Sequence, residues 1–113
     1  MMNDKEWLAV QELRDALDKK FGQEIMVMDL RNVSTIADFF VIATGGSAPQ
    51  LHALAETAEE VMKNHEIPLS HTEGLRAGEW VLLDFGSVIV HLFNKESREF
   101  YKLERVWGDA NIV

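Results

Sequence analysis

The segment Gly45-Gly46-Ser47 stands where an apolar run gives way to helical spacing. Backbone N–H groups at the start of a helix can hold a phosphate group. Phosphoryl transfer at such a turn also needs metal ions, held by two carboxylates one residue apart on a nearby strand. The next candidate strand offers Asp84 alone, with Leu82 where the second acid would be needed. We therefore interpret the Gly-Ser turn as a helix cap.

The other residue combinations that could carry chemistry are also incomplete. The four histidines are never three or four residues apart and the chain has no cysteine, so no metal site is predicted. A hydrolase triad of Ser47, His52 and Asp38 would need a G-x-S-x-G turn, whereas the sequence there is GGSAPQ. His91 is interpreted as a surface contact or a hydrogen-bonded partner at the edge of the core. We predict no enzymatic activity, no metal and no cofactor.

The composition is that of one acidic domain. The chain has 113 residues, with 11 Lys and Arg against 19 Asp and Glu, and a formal net charge of −8. Such a protein repels bare nucleic acid and attracts basic proteins, although acidity also serves solubility alone. The N-terminus lacks the features of a signal peptide, and no apolar run approaches the ~18 residues that span a bilayer. We expect a single domain over residues 1–113, located in the cytoplasm.

The elements that must position these residues alternate between helices and strands, which predicts an α/β fold. A first helix runs from about Asp4 to Phe21 and ends at Gly22. EIMVMDLR and DFFVIATG follow as strands, and the second is apolar on both faces, as in the centre of a sheet. Ser47 caps a second helix with Pro49 in its first turn. A short strand is expected over residues 69–72.

The clearest local signal is EWVLLDF-GS-VIVHLF, in which two apolar runs flank a Gly-Ser pair. This pattern predicts a β-hairpin with a two-residue turn of type I′ or II′. The turn fixes the pairing, so that one face is wholly apolar and packs on the helices. The opposite, mixed face carries Trp80, Leu82, Asp84, Ile89, His91 and Phe93.

The mixed face has two possible fates. The last helix or the N-terminal segment could cover it, but each buried polar group without a partner costs ~1–3 kcal/mol. Alternatively it is exposed, and aromatic anchors among a few polar groups are typical of a protein-binding surface, which we favour. The segment KESREFYKLERVWG is predicted as one charged helix that bears Phe100, Leu103 and Val106 and ends at Gly108. Trp107 either caps the core or extends the mixed face.

Two long runs resemble the ribosomal silencing factor (Iojap) family. They are DLRNVSTIADFFVIATGGSAPQ, from Asp29 to Gln50, and EGLRAGEWVLLDFGSVIVHLFNKESREFYKLERVWGDA, from Glu73 to Ala110. The segments WVLLDFG, VIVHLF and REFY, followed in order by LE and W, are highly specific. The resemblance implies a nucleotidyltransferase-like fold: a single mixed sheet of about five strands with helices packed on it, without the catalytic carboxylate pair.

The resemblance also implies a function. Family members bind the large ribosomal subunit through the basic ribosomal protein uL14, block joining of the small subunit and lower translation when nutrients are scarce. On that basis we predict little direct nucleic-acid binding and no membrane contact. A homodimer off the ribosome and a diverged nucleotide-binding protein remain alternatives. The residues predicted to bind the partner are Trp80, Leu82, Asp84, His91, Phe93, Arg98, Glu99, Tyr101 and Trp107.

Overall fold

The structure is a computed structural model that describes residues 4–106, 108 and 110–113. In these residues the elements are α1 (Asp4–Lys19), β1 (Gln23–Asp29), β2 (Phe39–Thr44), α2 (Ala48–Asn64), β3 (His71–Glu73), β4 (Trp80–Asp84), β5 (Val88–Phe93), α3 (Lys95–Tyr101), α4 (Leu103–Val106) and β6 (Asn111–Ile112). The strands form one sheet in the order β3-β4-β5-β2-β1-β6. Only β2 and β5 pair in parallel among them. The predicted single mixed sheet is confirmed, with a sixth strand because the C-terminus pairs with β1.

The centre of the sheet is β2, whose six residues are all buried between β1 and β5. This confirms the prediction made from its two apolar faces. Helices α1 and α2 pack on one face of the sheet, which we call the near face, and their apolar stripes form the larger core with it. No helix of the described residues is long and apolar enough to cross a membrane.

The helix ends follow local rules. The Ser47 side chain accepts a hydrogen bond from the Gln50 backbone N–H at 3.2 Å, so the predicted cap of α2 is confirmed. Helix α1 stops at Lys19, two residues before the predicted end, because Phe21 adopts a left-handed conformation with φ +68°. The Gly22 N–H then donates to the Leu17 carbonyl at 2.8 Å and closes the helix.

The hairpin has the predicted register. Trp80 lies opposite Phe93, Leu82 opposite His91, and Asp84 opposite Ile89. Gly86 has φ +85°, and Ser87 is not among the residues with positive φ, so the turn fits type II′ rather than type I′. The apolar face of the hairpin belongs to the larger core as expected, and it consists of Val81, Leu83, Phe85, Val88, Val90 and Leu92.

The closing segment is not one helix, and that prediction was wrong. Lys102 adopts a left-handed conformation with φ +44°, which separates α3 from α4. The break accompanies two inward contacts, since Arg98 is buried and Leu103 packs on the sheet face away from α1 and α2. One straight helix has a single inward stripe, so the bend lets both segments reach the sheet. Trp107 lies outside the described residues.

Candidate protein-binding surface

The sheet face away from α1 and α2, which we call the far face, holds a second and smaller core. Its buried members include Phe40, Ile42 and Phe93, and Trp80, Ile89 and Leu103 pack against them while partly exposed. The short helix α3 lies over part of this face and contacts β5. The far face is therefore covered at one end and open along β4, so both fates considered for the mixed hairpin face occur within it.

Three residues predicted to touch a partner are buried, which corrects the idea that the whole mixed face is exposed. His91 has 4% of its surface exposed, Phe93 has none, and Arg98 has 6%. Phe93 belongs to the second core because α3 covers it. A partner that leaves α3 in place cannot reach these side chains, and they support the surface from below.

The buried guanidinium of Arg98 fastens α3 to the sheet. Its Nη1 donates to the Thr44 hydroxyl at 2.9 Å, and its Nε donates to a Glu104 carboxylate oxygen at 3.3 Å. Thr44 ends the central strand and is itself buried. The Asn94 side chain caps α3 by accepting from the Ser97 N–H at 2.8 Å. This seven-residue helix is thus held at its start by a cap and near its end by a charge-assisted bond.

A chain of aromatic rings runs from the buried core to the solvent. The Trp80 ring centroid lies 4.9 Å from that of Phe93 and 4.7 Å from that of Tyr101. The Phe100 ring meets the Tyr101 ring edge-on, at 5.0 Å and 90°. Tyr101 is 48% exposed and Phe100 is 80% exposed. Contacts between rings at these distances stabilise their relative orientation, so the outer rings rest on a fixed base.

His91 makes an unusual contact beneath Trp80. The indole Nε1–H of Trp80 donates to His91 Nδ1 at 3.1 Å. Since Nδ1 accepts, a neutral imidazole carries its proton on Nε2, and Nε2 is buried with no hydrogen-bond partner in the described part of the chain. Burial lowers the pKa of His91 from its ordinary value to about 4, so the ring is neutral at pH 7. A buried donor without an acceptor costs roughly 1–3 kcal/mol.

The accessible residues of this region form what we call the aromatic surface. Trp80, Leu82 and Asp84 follow one another along the far face of β4 and are partly exposed, whereas Glu99, Phe100 and Tyr101 lie on α3. A groove of about 690 Å³ is lined by the rings of Phe100 and Tyr101, and its charged residues are three carboxylates and one lysine: Glu79, Glu96, Glu99 and Lys95. The arrangement offers apolar anchors beside negative charge, which suits a protein partner with basic side chains.

Phe100 was not among the residues predicted to bind a partner, and it is the most exposed ring of this surface. The sequence signal for its exposure is that the next residue, Tyr101, is also aromatic. Phe100 and Tyr101 are consecutive on a helix, and consecutive side chains point about 100° apart, so one narrow stripe cannot bury both. An aromatic pair at consecutive positions of a short helix therefore indicates a surface ring.

Glu99 and Lys102 form an exposed ion pair at 2.8 Å. The hydrogen bond from Lys102, with the attraction of its charge, holds the pKa of Glu99 below the ordinary value. Glu99 is therefore ionised at neutral pH on the rim of the groove. Of the neighbouring charged residues of this helix, Glu99 is exposed to solvent, whereas Arg98 is buried.

The Gly-Ser turn satisfies its own donors. The Gly46 N–H donates to the Gln50 side-chain oxygen at 2.7 Å, and the Gln50 amide nitrogen donates to the Phe21 carbonyl at 2.8 Å. The Gly46 amide at this helix start is therefore bonded within the chain. In the described residues no group of three His, Asp or Glu side chains is placed to hold a metal ion.

A mixed sheet with two long helices on one face, and a partly exposed aromatic surface beside two short helices on the other, defines an α/β domain. Residues 3–113 match the model of the family described as "Ribosomal silencing factor during starvation". The chain belongs to this family.

Relatives with the printed name Ribosomal silencing factor RsfS include one from Bacillus subtilis, 37% identical over 99% of this chain and 93% of its own length. A second, from Zymomonas mobilis, is 46% identical over 83% of this chain and 71% of its own. A crystal structure from Chromobacterium violaceum superposes with a TM-score of 0.82 at 31% identity, covering 89% of this chain and 85% of that one.

A more distant relative extends the comparison to an organelle. The mouse protein named Mitochondrial assembly of ribosomal large subunit protein 1 is 32% identical over 87% of this chain and 44% of its own length. The family resemblance seen in the sequence is therefore confirmed in bacterial and mitochondrial relatives.

Proposed function

We propose that this protein docks on the large ribosomal subunit through the basic ribosomal protein uL14 and blocks joining of the small subunit. By this means it lowers translation in the cytoplasm under nutrient limitation. Family membership supports an action on the ribosome, and the name of the mouse relative points to the large subunit. The observation that carries the proposal is the aromatic surface, which stays accessible although the rings beneath it are buried.

The anchors of the interface are the aromatic and aliphatic side chains at its centre. Trp80, Leu82 and Tyr101 lose their remaining exposure when a partner covers β4 and the end of α3. Aromatic rings at the centre of an interface contribute most of its binding free energy, since they exclude water over a large area. The buried Phe93 keeps these rings in place without touching the partner.

The charge of the surface selects a basic partner. The whole chain carries a formal charge of −8, and three carboxylates against one lysine, Lys95, line the groove beside Phe100. Lys or Arg side chains of the partner can pair with these carboxylates, or lie over the exposed Phe100 ring in cation–π contact. Such pairs at the rim mainly raise the association rate and set the orientation.

The mechanism requires no bond to be made or broken. A protein that occupies the surface where the two ribosomal subunits meet prevents their contact by excluded volume. The fraction of subunits kept apart then follows the occupancy of the docking site. A protein concentration well above the dissociation constant of the complex is therefore enough for silencing.

Purified subunits test the proposal directly. Adding the protein to separated subunits before raising magnesium should keep the large subunits free in a sucrose gradient, with the protein comigrating. Trp80→Ala should weaken docking about 30-fold or more, as expected of a central aromatic anchor. Leu8→Ala is the matched control, because Leu8 is 58% exposed on α1 over the near face. An unchanged fraction of joined ribosomes with excess protein would overturn the proposal.

The same surface suggests a second copy of this chain as an alternative occupant when ribosomes are scarce. Exposed rings such as Phe100 and Tyr101 are unfavourable in water, and self-association through them would remove that cost. Such a homodimer would compete with docking. Light scattering at two concentrations tests it: the mass should fall on dilution, and Tyr101→Ala should remove the dimer.

The bonded Gly46 amide gives no support to the nucleotide-binding alternative. Magnesium-dependent nucleotide binding, measured by calorimetry, would revive that alternative.

A further inference from the structure

We infer that His91 is a positioning residue for docking, which holds the Trp80 indole in its binding orientation through the bond from Trp80 Nε1–H to His91 Nδ1. The inference rests on the proposed function, in which Trp80 is a central anchor. His91 itself does not touch the partner, since only 4% of its surface is exposed. It acts on the interface through Trp80.

The first argument is geometric. Trp80 sits on β4 and His91 lies on the neighbouring strand β5, one diagonal step away, and the donor and acceptor nitrogens are 3.1 Å apart. The Phe40 ring, 4.6 Å away and tilted by 68°, packs against the imidazole from β2. The imidazole is therefore confined inside the protein, while the indole that it binds is partly exposed. Because the packed imidazole cannot move with the indole, the hydrogen bond between them restrains the orientation of the indole.

The second argument concerns what His91 does for the fold. Its other nitrogen, Nε2, is buried without a partner in the described residues, so the imidazole carries a desolvation penalty that an apolar side chain of similar size would not. Its neighbours across the register, Ile42 and Leu82, are apolar. A side chain chosen for stability alone would be apolar at this position. The imidazole at this position is explained by the orientation that it gives Trp80.

The third argument concerns the direction of the indole. With its N–H turned inward to His91, Trp80 presents carbon edges to the solvent and keeps its ring against Phe93 and Tyr101. Without that bond the N–H would turn toward water, and the ring would lose its contacts with its two neighbours. Binding would then require the indole to be reordered, which weakens affinity although no direct contact has been removed.

The test uses the full-length protein and purified large ribosomal subunits. His91→Leu removes the acceptor and the unpartnered donor together, so stability should be kept or raised. Docking should nevertheless weaken about 3- to 10-fold, the range expected for one lost hydrogen bond. His91→Asn places an amide oxygen close to the position of Nδ1 and should restore most of the affinity. If His91 only stabilised the fold, a variant of unchanged stability would dock normally, and docking would weaken only in variants that are less stable.

Trp80→Phe provides an independent arm, because it keeps an aromatic ring and removes the N–H while the His91 side chain stays in place. Adding His91→Leu to Trp80→Phe should cause no further loss of docking, since the bond is already absent. The indole N–H signal of Trp80 in ¹⁵N NMR, assigned by its absence in Trp80→Phe, should shift in His91→Leu and return toward its position in His91→Asn.

The outcomes separate this inference from the proposed function. If Trp80→Ala docks like the wild type, the proposed surface is wrong. If Trp80→Ala is impaired while His91→Leu docks normally, the positioning role is overturned and the proposed surface stands. The same conclusion follows if His91→Leu weakens docking by the same factor in the Trp80→Phe background as in the wild type. Should His91→Leu fail to fold, His91→Asn and Trp80→Phe carry the test: docking of Trp80→Phe equal to the wild type, or docking of His91→Asn as weak as that of Trp80→Ala, would overturn the positioning role.

Discussion

The two faces of the sheet differ in how their residues are used. The near face buries Val81, Leu83 and Val90 under two long helices, and its larger core consists of apolar side chains. The far face combines Phe93 and Ile42 with Thr44, His91 and Arg98, all buried, and in the described residues the short helices α3 and α4 cover part of it. The near face is built for stability. On the far face, the buried Arg98 bonds to Thr44 and fastens α3 to the sheet, and the buried His91 accepts a hydrogen bond from Trp80.

The largest effect on stability should come from the near face. Leu83→Ala leaves a cavity in the larger core and should lower the free energy of unfolding by about 2–5 kcal/mol in guanidinium titrations. The fraction that remains folded should still dock on large subunits, since Leu83 points away from the aromatic surface. Leu8→Ala, on the exposed side of α1, should change stability little. A Leu83→Ala variant of normal stability would contradict the division between the faces.

The far face should respond to pH through His91. Its pKa is lowered to about 4 in the folded protein, against an ordinary value of 6.5. Above pH 6.5 the imidazole is neutral in both states and contributes no pH dependence. Between pH 6.5 and 4 the unfolded chain binds a proton that the folded protein does not, so stability falls as the pH falls, by about 3 kcal/mol in total.

The comparison of wild type with His91→Leu isolates this contribution, because carboxylates titrate in both proteins. The difference in unfolding free energy between them should grow from pH 7 to pH 4 and then level off. Equal slopes for the two proteins would show that the imidazole is accessible to protons in the folded state, and the far face would then be more open than its burial indicates.

Thr44→Val tests the attachment of α3 to the sheet. The change removes the hydroxyl that accepts from Arg98 Nη1 and leaves a buried guanidinium with one partner fewer. Stability should fall by about 2 kcal/mol, the range for bonds to charged groups. Docking should also weaken, because α3 carries Phe100 and Tyr101. Thr57→Val, which removes a hydroxyl bonded to the Ala53 carbonyl within α2, is the matched control and should leave docking unchanged.

The smallest effect is expected at the exposed rim. Glu99→Gln removes one carboxylate of the groove and its ion pair with Lys102, and ion pairs at the protein surface contribute little to stability. Thermal unfolding should therefore be unchanged. The association rate with large subunits should fall about two-fold at low salt, and the difference should vanish at high salt. A salt-independent loss would place Glu99 in direct, buried contact with the partner.

Much of the fold could be predicted because its signals are local. The type of hairpin turn depends on Gly86, and the start of α2 depends on Ser47, each through neighbours within a few residues. The prediction of a single closing helix was wrong because the end of α3 depends on contacts that are not local. The break at Lys102 accompanies contacts of Arg98 and Leu103 with distant strands, and no local pattern shows those contacts.

The candidate surface was predicted in part. The alternation along β4 and β5 placed Trp80 and Leu82 on the mixed face, and the structure leaves both partly exposed. The alternation did not show that Phe93 and His91, on the same face, are buried, Phe93 beneath Tyr101 of α3 and His91 beneath Trp80. Glu99 and Tyr101 are exposed on α3, and their contact with a partner stays a prediction, as does that of Trp107, which lies outside the described residues.

By itself the sequence determined the order of the elements, the register of the hairpin and the family, because periodicity, turn residues and specific motifs act over short distances. Only the tertiary structure decided which half of the mixed face is open. That choice depends on where α3 lies, and α3 is held by the Arg98–Thr44 bond between residues 54 positions apart. Burial of a side chain is a property of its neighbours in space, so the same alternating pattern could supply both a buried support and an exposed anchor.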